Sequence, residues 1–476
     1  MTRRSSRFAV LLMVAAPVAG FAQRPADVAQ SIEAARAQWS AVARQIWGFA
    51  EVGYQEEQSS ALHQEQLRKA GFTVEAGIAG MPTAFVATYG SGRPVIGILA
   101  EFDALPGLSQ DSVPVRKVLV DMGPGHGCGH HLFGTASVAA GVAAKEWLAA
   151  GRRPGTVRVY GTPAEEGGAG KVYLVRSGLF HDVDVVLHWH PGDRNDASQE
   201  TSLANKSAKF RFHGTSAHAA GAPERGRSAL DGVEAMNHMV NMMREHVPSD
   251  TRIHYVITRG GQAPNVVPDF AEVYYYVRHP SADLVMEIFD RIAKAGEGAA
   301  MGTGTRMDYE VIHGIYSLLP IDTLGRVMDA NLRRVGGIRY TAEERAFAER
   351  LYPLLTTPDL ALGSEAEIQP YGLSQAGGST DVGDVSWVVP TVGLSTATWV
   401  PGTSAHSWQA VAAGGTGIGT QGMMVAAKTL ALTAVDLFGD PRYVEAARRE
   451  FDRKRGANFK YVSLVGDRAP PLDYRK

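Results

Sequence analysis

Cysteine occurs once in the 476 residues, at Cys128, and a single thiol excludes any intramolecular disulfide. Neither sign of charge dominates. With 47 Lys plus Arg against 49 Asp plus Glu, the formal net charge is −2, and composition gives no electrostatic footing for nucleic acid or an anionic membrane surface. Internal repeats and low-complexity linkers are absent, and past the N-terminal region no segment reads as having the length and apolarity of a membrane span. What remains is an ordinary globular chain, 45% hydrophobic, long enough for about two or three domains. Its expected ligand is a small molecule or another protein.

The first residues, MTRRSSRFAVLLMVAAPVAGFAQ, combine Arg3, Arg4 and Arg7 with an apolar run from Phe8 to Gly20 and small residues at Gly20 and Ala22. The run is shorter than the roughly 20 apolar residues a bilayer requires. Residues 1–22 therefore read as a secretory signal cut after Ala22, and the protein as periplasmic or secreted. In such an oxidising compartment a lone thiol needs burial or coordination, which makes Cys128 informative.

Helical spacing of apolar residues runs from Ala26 to about Gly71. Three apolar strands follow, in RPVIGILAEFDALPG, TVRVYGTPAEEGGAG and DVDVVLHWHPG, each emptying into charged or imidazole residues, with a helix predicted from about Leu132 to Ala150. Strands interleaved with helices predict an α/β domain whose site lies at the strand ends. From residue 205 the order becomes strand, helix, strand, strand, helix, strand, the ferredoxin-like α+β plan. The expected layout is a catalytic domain in two parts, 23–204 and 319–440, around an inserted domain, 205–318. The tail 441–476 reads as charged and irregular, with no legible chemistry.

Cys128, His130, Glu165, Glu166, His188, His190 and His406 carry thiolate, imidazole and carboxylate groups, the types that hold zinc and its neighbours. Any one histidine is more often a surface or satisfied core group; several at corresponding strand ends are not. The adjacent pair Glu165 and Glu166 lets one carboxylate bind metal while its neighbour addresses a water. In the inserted domain His218, Asn265 and Arg278 offer an imidazole, an amide and a guanidinium, suited to an amide carbonyl and a substrate carboxylate.

In order along the chain, AEFDALPG, GPGHGCGHHLFGTA, TPAEEGG, LHWHPG, GTSAHAA, GGQAPNVVP and TSAHSW resemble the two-domain metallo-amidohydrolase and exopeptidase family of carboxypeptidase G, aminoacylase and the auxin-conjugate hydrolases. Within that family the likeness is to the aminobenzoyl-glutamate hydrolase branch, over roughly residues 30 to 440. The resemblance implies a catalytic α/β domain with a central sheet, an inserted ferredoxin-like dimerisation domain and two divalent metal ions, Zn or Mn. It implies metal ligands at Cys128, His130, Glu166, His190 and His406, a general base at Glu165, and a His218 that reaches the partner subunit's site to stabilise an oxyanion. Asn265 and Arg278 fall near positions that hold the substrate carbonyl and carboxylate, and Asp103 matches an acid that orients a metal-site residue.

Two positions depart from the family pattern. Glu101 stands where exopeptidase members have a histidine ligand, and His131 stands where the auxin-conjugate members have Asp and the aminobenzoyl-glutamate branch has Asn; His131 reads as a ligand, a group supporting a ligand or a substrate contact, the second ranked first. His188, two residues before His190, is its rival in HWH. The expected activity is hydrolysis of an amide between an acyl or aroyl group and an amino acid, the substrate being a small amide with a carboxylate. Alternatives are a metallo-dipeptidase or carboxypeptidase on short peptides and a non-catalytic partner subunit. The expected assembly is a homodimer or a heteromer with a related subunit.

Overall fold

The computed structural model describes residues 25–375 and 377–475; the signal-like segment 1–22 lies outside them. A central sheet of six strands runs in the order Thr73–Ala76, Phe85–Ser91, Gly155–Gly161, Val95–Ala100, Val185–Leu187, Thr391–Val392. The first two pairings are antiparallel and the next three parallel. Val95–Ala100 is buried at every residue, as a parallel strand covered on both faces must be. The helices His130–Gly151 and Gly417–Gly439 pack against each other and share the sheet's core, Ala136, Ala140 and Ala144 of the first lying with Leu430, Ala431 and Ala434 of the second. Alanine at helical spacing keeps the packed surfaces small, so the backbones approach closely.

The expectation that no later segment has the dimensions of a membrane span is corrected here. Gly417–Gly439 is long and apolar enough to cross a bilayer, yet 83% of its apolar window is buried inside the protein, where it forms the core helix. A helix apolar on all sides is what a fully surrounded position in a large domain also demands.

The inserted unit is a four-stranded antiparallel sheet in the order Arg306–Ile315, Ala204–His213, Phe270–His279, Arg252–Arg259, which is the ferredoxin-like plan. Along Phe270–His279 buried and half-buried positions alternate, Val273, Tyr275 and Val277 facing a core shared with Phe210, Phe212 and Phe289. The helices Ala229–Met243 and Ala282–Thr303 cover that face. Each begins on a serine whose hydroxyl accepts a backbone N–H, Ser228 from Asp231 and Ser281 from Leu284.

The segment after Asp440 is not irregular throughout. Pro441–Arg455 is a helix capped by Asp440, whose carboxylate accepts the Arg442 N–H, with Arg453, Lys454 and Arg455 in its last turn. Its charge hides a stripe, Val444, Ala447 and Phe451, at helical spacing and packed on the main core.

Candidate active site

Three of the four parallel strands end side by side, and the residues just beyond their C-terminal ends build the site. Glu101 and Asp103 follow Val95–Ala100, Glu165 and Glu166 follow Gly155–Gly161, and His188 and His190 follow Val185–Leu187. Cys128 comes from the glycine loop before the helix His130–Gly151, while His130 is that helix's first residue, not part of the loop as the motif alone implies. Gly129 between them has φ +73°, and a side chain there would meet Pro191 at 2.8 Å, so the turn that sets Cys128 and His130 side by side requires glycine. His406 arrives from a loop and holds a strained left-handed conformation, φ 57°, its N–H donating to the Gly127 carbonyl.

Ligand atoms of Cys128, His130 and His190 lie within 4.8 Å of one another, as do those of Cys128, Glu166 and His406. The Cys128 sulfur belongs to both triads. Glu101, His130 and Glu165 make a third cluster of the same compactness beside them. His406 Nε2 is 3.0 Å from the Cys128 sulfur and 3.3 Å from Glu166 Oε1. His130 Nδ1 donates to Asp103 Oδ1 at 2.9 Å, which leaves Nε2 with a lone pair, and His190 Nδ1 donates to the Pro191 carbonyl at 2.7 Å with the same result. The other oxygen of Asp103 accepts the Glu166 N–H at 2.9 Å, so one carboxylate aligns a member of each triad.

His130 Nε2, Glu101 Oε2 and Glu166 Oε1 are buried polar atoms without a hydrogen-bond partner among the described residues. His130 Nε2 faces Glu101 Oε2 at 3.2 Å. Glu101, Asp103, Glu165, Glu166 and Asp381 bring five carboxyls to this region, and the buried ammonium of Lys171 bridges Glu101 Oε1 and Asp381 Oδ1 at 2.7 Å each. Orphaned lone pairs, a surplus of negative charge and an S, N and O donor set fit a pair of divalent cations. Burial and the neighbouring Glu101 and Glu166 push the Glu165 carboxyl well above its ordinary range. Burial also raises Glu166, but the His406 contact leads the opposing effects that hold that carboxyl below the usual value. Adjacent carboxyls are thus driven apart, the pattern of a proton carrier beside an ionised ligand.

His188 belongs to none of the three clusters; it packs against Gly393 and lines a cavity of ≈ 390 Å³ that His190 also borders. His131 is also outside them: its Nε2 meets the Gly414 carbonyl at 3.1 Å and its ring lies 4.8 Å from that of His126, and among the described residues no hydrogen bond joins its side chain to a triad. As the second residue of its helix, His131 points about 100° away from His130. His218 and Asn265 are exposed and adjacent in the inserted domain, the Ala219 N–H donating to the Asn265 carbonyl, and among the described residues no hydrogen bond or ion pair joins either to the triads. Arg278 lines a cavity of ≈ 360 Å³ with Arg252 and His254, and its Nε is buried without a partner among the described residues.

Residues 204–300 match the peptidase dimerisation domain of the M20 group. Over 88% of this chain and 93% of the relative, the sequence is 41% identical to one of the subunits of the p-aminobenzoyl-glutamate hydrolase of Escherichia coli K12. The chain belongs to the M20 family of peptidases and amidohydrolases. It is also 30% identical to the mouse Xaa-Arg dipeptidase over 90% of this chain and 91% of that one. A dinuclear metal-binding peptidase of the M20 family from Bacillus subtilis shares its fold, with a TM-score of 0.58 over 86% of this chain and 99% of that one at 16% identity.

This M20 hydrolase of amide bonds holds groups near its site that motif reading passes over. Lys171, fully buried in the helix Gly170–Arg176, and Asp381, which accepts both its ammonium and its backbone N–H, carry the ion network beneath Glu101. The available signal is a lone lysine in the apolar run AGKVYLV. Tyr474 and Arg475, in the segment read as having no chemistry, both donate to the Glu166 carbonyl at 2.9 Å.

Proposed function

We propose that this M20 hydrolase cleaves the amide bond of an N-acyl or N-aroyl amino acid of the aminobenzoyl-glutamate type. The observation that carries the reading is the Cys128 sulfur shared by two triads, with Glu165 beside them and free of any protein hydrogen bond among the described residues. Cys128, His130 and His190 would hold one divalent ion, and Cys128, Glu166 and His406 the other, zinc and manganese both suiting these donors. When bound, the pair supplies Lewis acidity toward a water and the amide carbonyl. Glu165, with its raised proton affinity, takes the proton from water and later delivers it to the leaving amine. Asp103 keeps His130 in the tautomer a cation needs and fixes the start of the Glu166 peptide.

His218 Nδ1 accepts the N–H groups of Ala220 and Gly221 at 3.2 and 3.0 Å, so its proton resides on Nε2, a donor suited to a developing oxyanion. With no contact to the triads of its own chain, it serves the site of a partner subunit. The edge strand Arg252–Arg259, with Tyr255, Val256 and Ile257 exposed, offers a homodimer or a heteromer with a related subunit its pairing surface. Arg278 pairs with the substrate carboxylate and Asn265 with its carbonyl. A signal at residues 1–22 would deliver the protein to the periplasm or outside the cell; amino-terminal sequencing of the exported form should begin at Gln23.

The rival within enzymes is a dipeptidase, favoured by the mouse Xaa-Arg relative. The two separate on the substrate's acyl side, since a dipeptide presents a free α-amino group. Apo-protein loaded with Zn²⁺ or Mn²⁺ and assayed on aminobenzoyl-glutamate, N-acyl amino acids and dipeptides should turn over the first two classes. Turnover of dipeptides alone would overturn the proposal in favour of the rival. Two ions bound without turnover of any substrate, alone or with a related subunit, would make the chain a non-catalytic partner.

A further inference from the structure

The loop that carries Glu165 and Glu166 is held in an unfavourable shape. Ala164 has φ 57°, Ala169 φ 56° and Gly167 φ 88°, while Glu166 departs from helical values at φ −70°, ψ 69°. Left-handed alanine costs roughly 1–2 kcal/mol per residue, so this shape persists only where surrounding groups impose it. The anchors are specific. Glu56 Oε1 accepts the Ala164 N–H at 2.9 Å, Asp103 Oδ2 accepts the Glu166 N–H at 2.9 Å, and the Tyr54 hydroxyl donates to the Gly168 carbonyl at 2.8 Å. The Glu166 carbonyl is held by the Tyr474 hydroxyl and Arg475 Nη2.

A slot receives Tyr474. Its hydroxyl fills the space a side chain at Gly53 would need, its ring lies edge-on to Tyr54 at 5.6 Å, and Gln55 donates to the Leu472 carbonyl at 2.8 Å just upstream. The same segment is tied to the inserted domain a few residues earlier. Arg468 donates to the carbonyls of Val311 and Ile312, where the strand Arg306–Ile315 loses register with its neighbour, and Arg176 donates to the carbonyls of Gly466 and Arg468. One short stretch therefore fastens the inserted sheet at one end and the glutamate loop at the other.

We propose that Tyr474 and Arg475 are positioning residues of the hydrolase: by fixing the Glu166 carbonyl they set the direction of the Glu165 and Glu166 side chains, so the segment 466–475 is part of the catalytic apparatus. The proposal rests on Glu165 as general base and Glu166 as ligand. Without both donors the Glu166–Gly167 peptide loses the contacts that fix its carbonyl, and a displacement of about 1 Å at a reacting group can cost about 100-fold in rate.

The test compares Tyr474→Phe, Arg475→Met and the double variant in the full-length metal-loaded protein, reading kcat and KM, metal content, thermal midpoint and the visible spectrum of the Co²⁺ form. The double variant should keep two ions per chain, the wild-type midpoint and KM, lose about 10- to 100-fold in kcat, and show altered Co²⁺ bands because Glu166 has moved. Each single variant retains one donor and should lose less than about threefold, a redundancy that follows from two donors on one carbonyl. Unchanged kcat and spectrum in the double variant overturn the proposal, as does a loss of kcat that only follows a fall in midpoint or metal content. If the wild type hydrolyses none of the substrates, the reading of the reaction fails, and the Co²⁺ spectrum of the double variant still decides whether the pair positions the loop.

Discussion

The catalytic cluster and the inserted domain's trio carry residues of similar chemistry in opposite physical states. Cys128, His130, Asp103, Glu101 and Lys171 are buried and locked to one another within a single chain, whereas His218 and Asn265 are exposed and touch none of them. The buried set is ordered by contacts within one chain, whereas in the exposed pair only the His218 imidazole is oriented, by the N–H groups of Ala220 and Gly221.

The largest expected effect falls inside the buried set. Glu165→Gln removes the proton carrier while leaving all five proposed ligands, and should cut kcat about a thousandfold or more with two ions retained, by steady-state kinetics and metal analysis. Wild-type turnover would remove Glu165 from its role. Next, Lys171→Met leaves Glu101 and Asp381 buried without their cation, each within 1% exposure, and should destabilise the fold by about 3–5 kcal/mol in denaturant titration.

His218→Ala sharpens the contrast between the two regions. It should lose about 100-fold in kcat, near 2.7 kcal/mol, without loss of metal or thermal stability. If His218 serves a partner's site, mixing inactive Glu165→Gln and His218→Ala proteins should restore activity through hybrid dimers that combine one intact set. No recovery on mixing, with subunit exchange verified, would place His218 at its own chain's site.

The most gradual effect, spread over a pH window, lies in the buried core's response to pH. His63 is wholly buried and burial drives its pKa down to about 3 from an unfolded 6.5. Between those values the unfolded chain binds the extra proton, so stability rises with pH and falls as pH drops from 6.5 toward 3, by about 1.4 kcal/mol per unit for one group. His63→Leu should flatten the slope of unfolding free energy against pH in that window by about that amount; an unchanged slope would mean the imidazole is not neutral in the fold.

Strand ends and glycine-flanked ligands were legible because their signal is local. VIGILA followed by Glu101 and Asp103, or a glycine loop around Cys128, places chemistry at a predictable spot. The alternation in AEVYYYVR and the order of elements after residue 205 likewise anticipate the ferredoxin-like sheet. The roles of His131 and His188 were not legible, since side-chain direction one or two residues from a ligand depends on helix phase and strand register. The charge of Pro441–Arg455 hides its apolar stripe, and the length and apolarity of Gly417–Gly439 match a span although the helix lies inside the core.

By itself the sequence determined the two-domain α/β plan with its ferredoxin-like insert and the donor types of the centre, because hydrophobic period and short motifs act over a few residues. Tertiary structure alone decided that the Cys128 sulfur belongs to two triads, that Lys171 reaches Asp381 across 210 positions, and that Tyr474 closes on the Glu166 carbonyl across 308. Such contacts join atoms from strands, loops and a closing segment whose meeting is set by packing of the whole core, which no local pattern encodes.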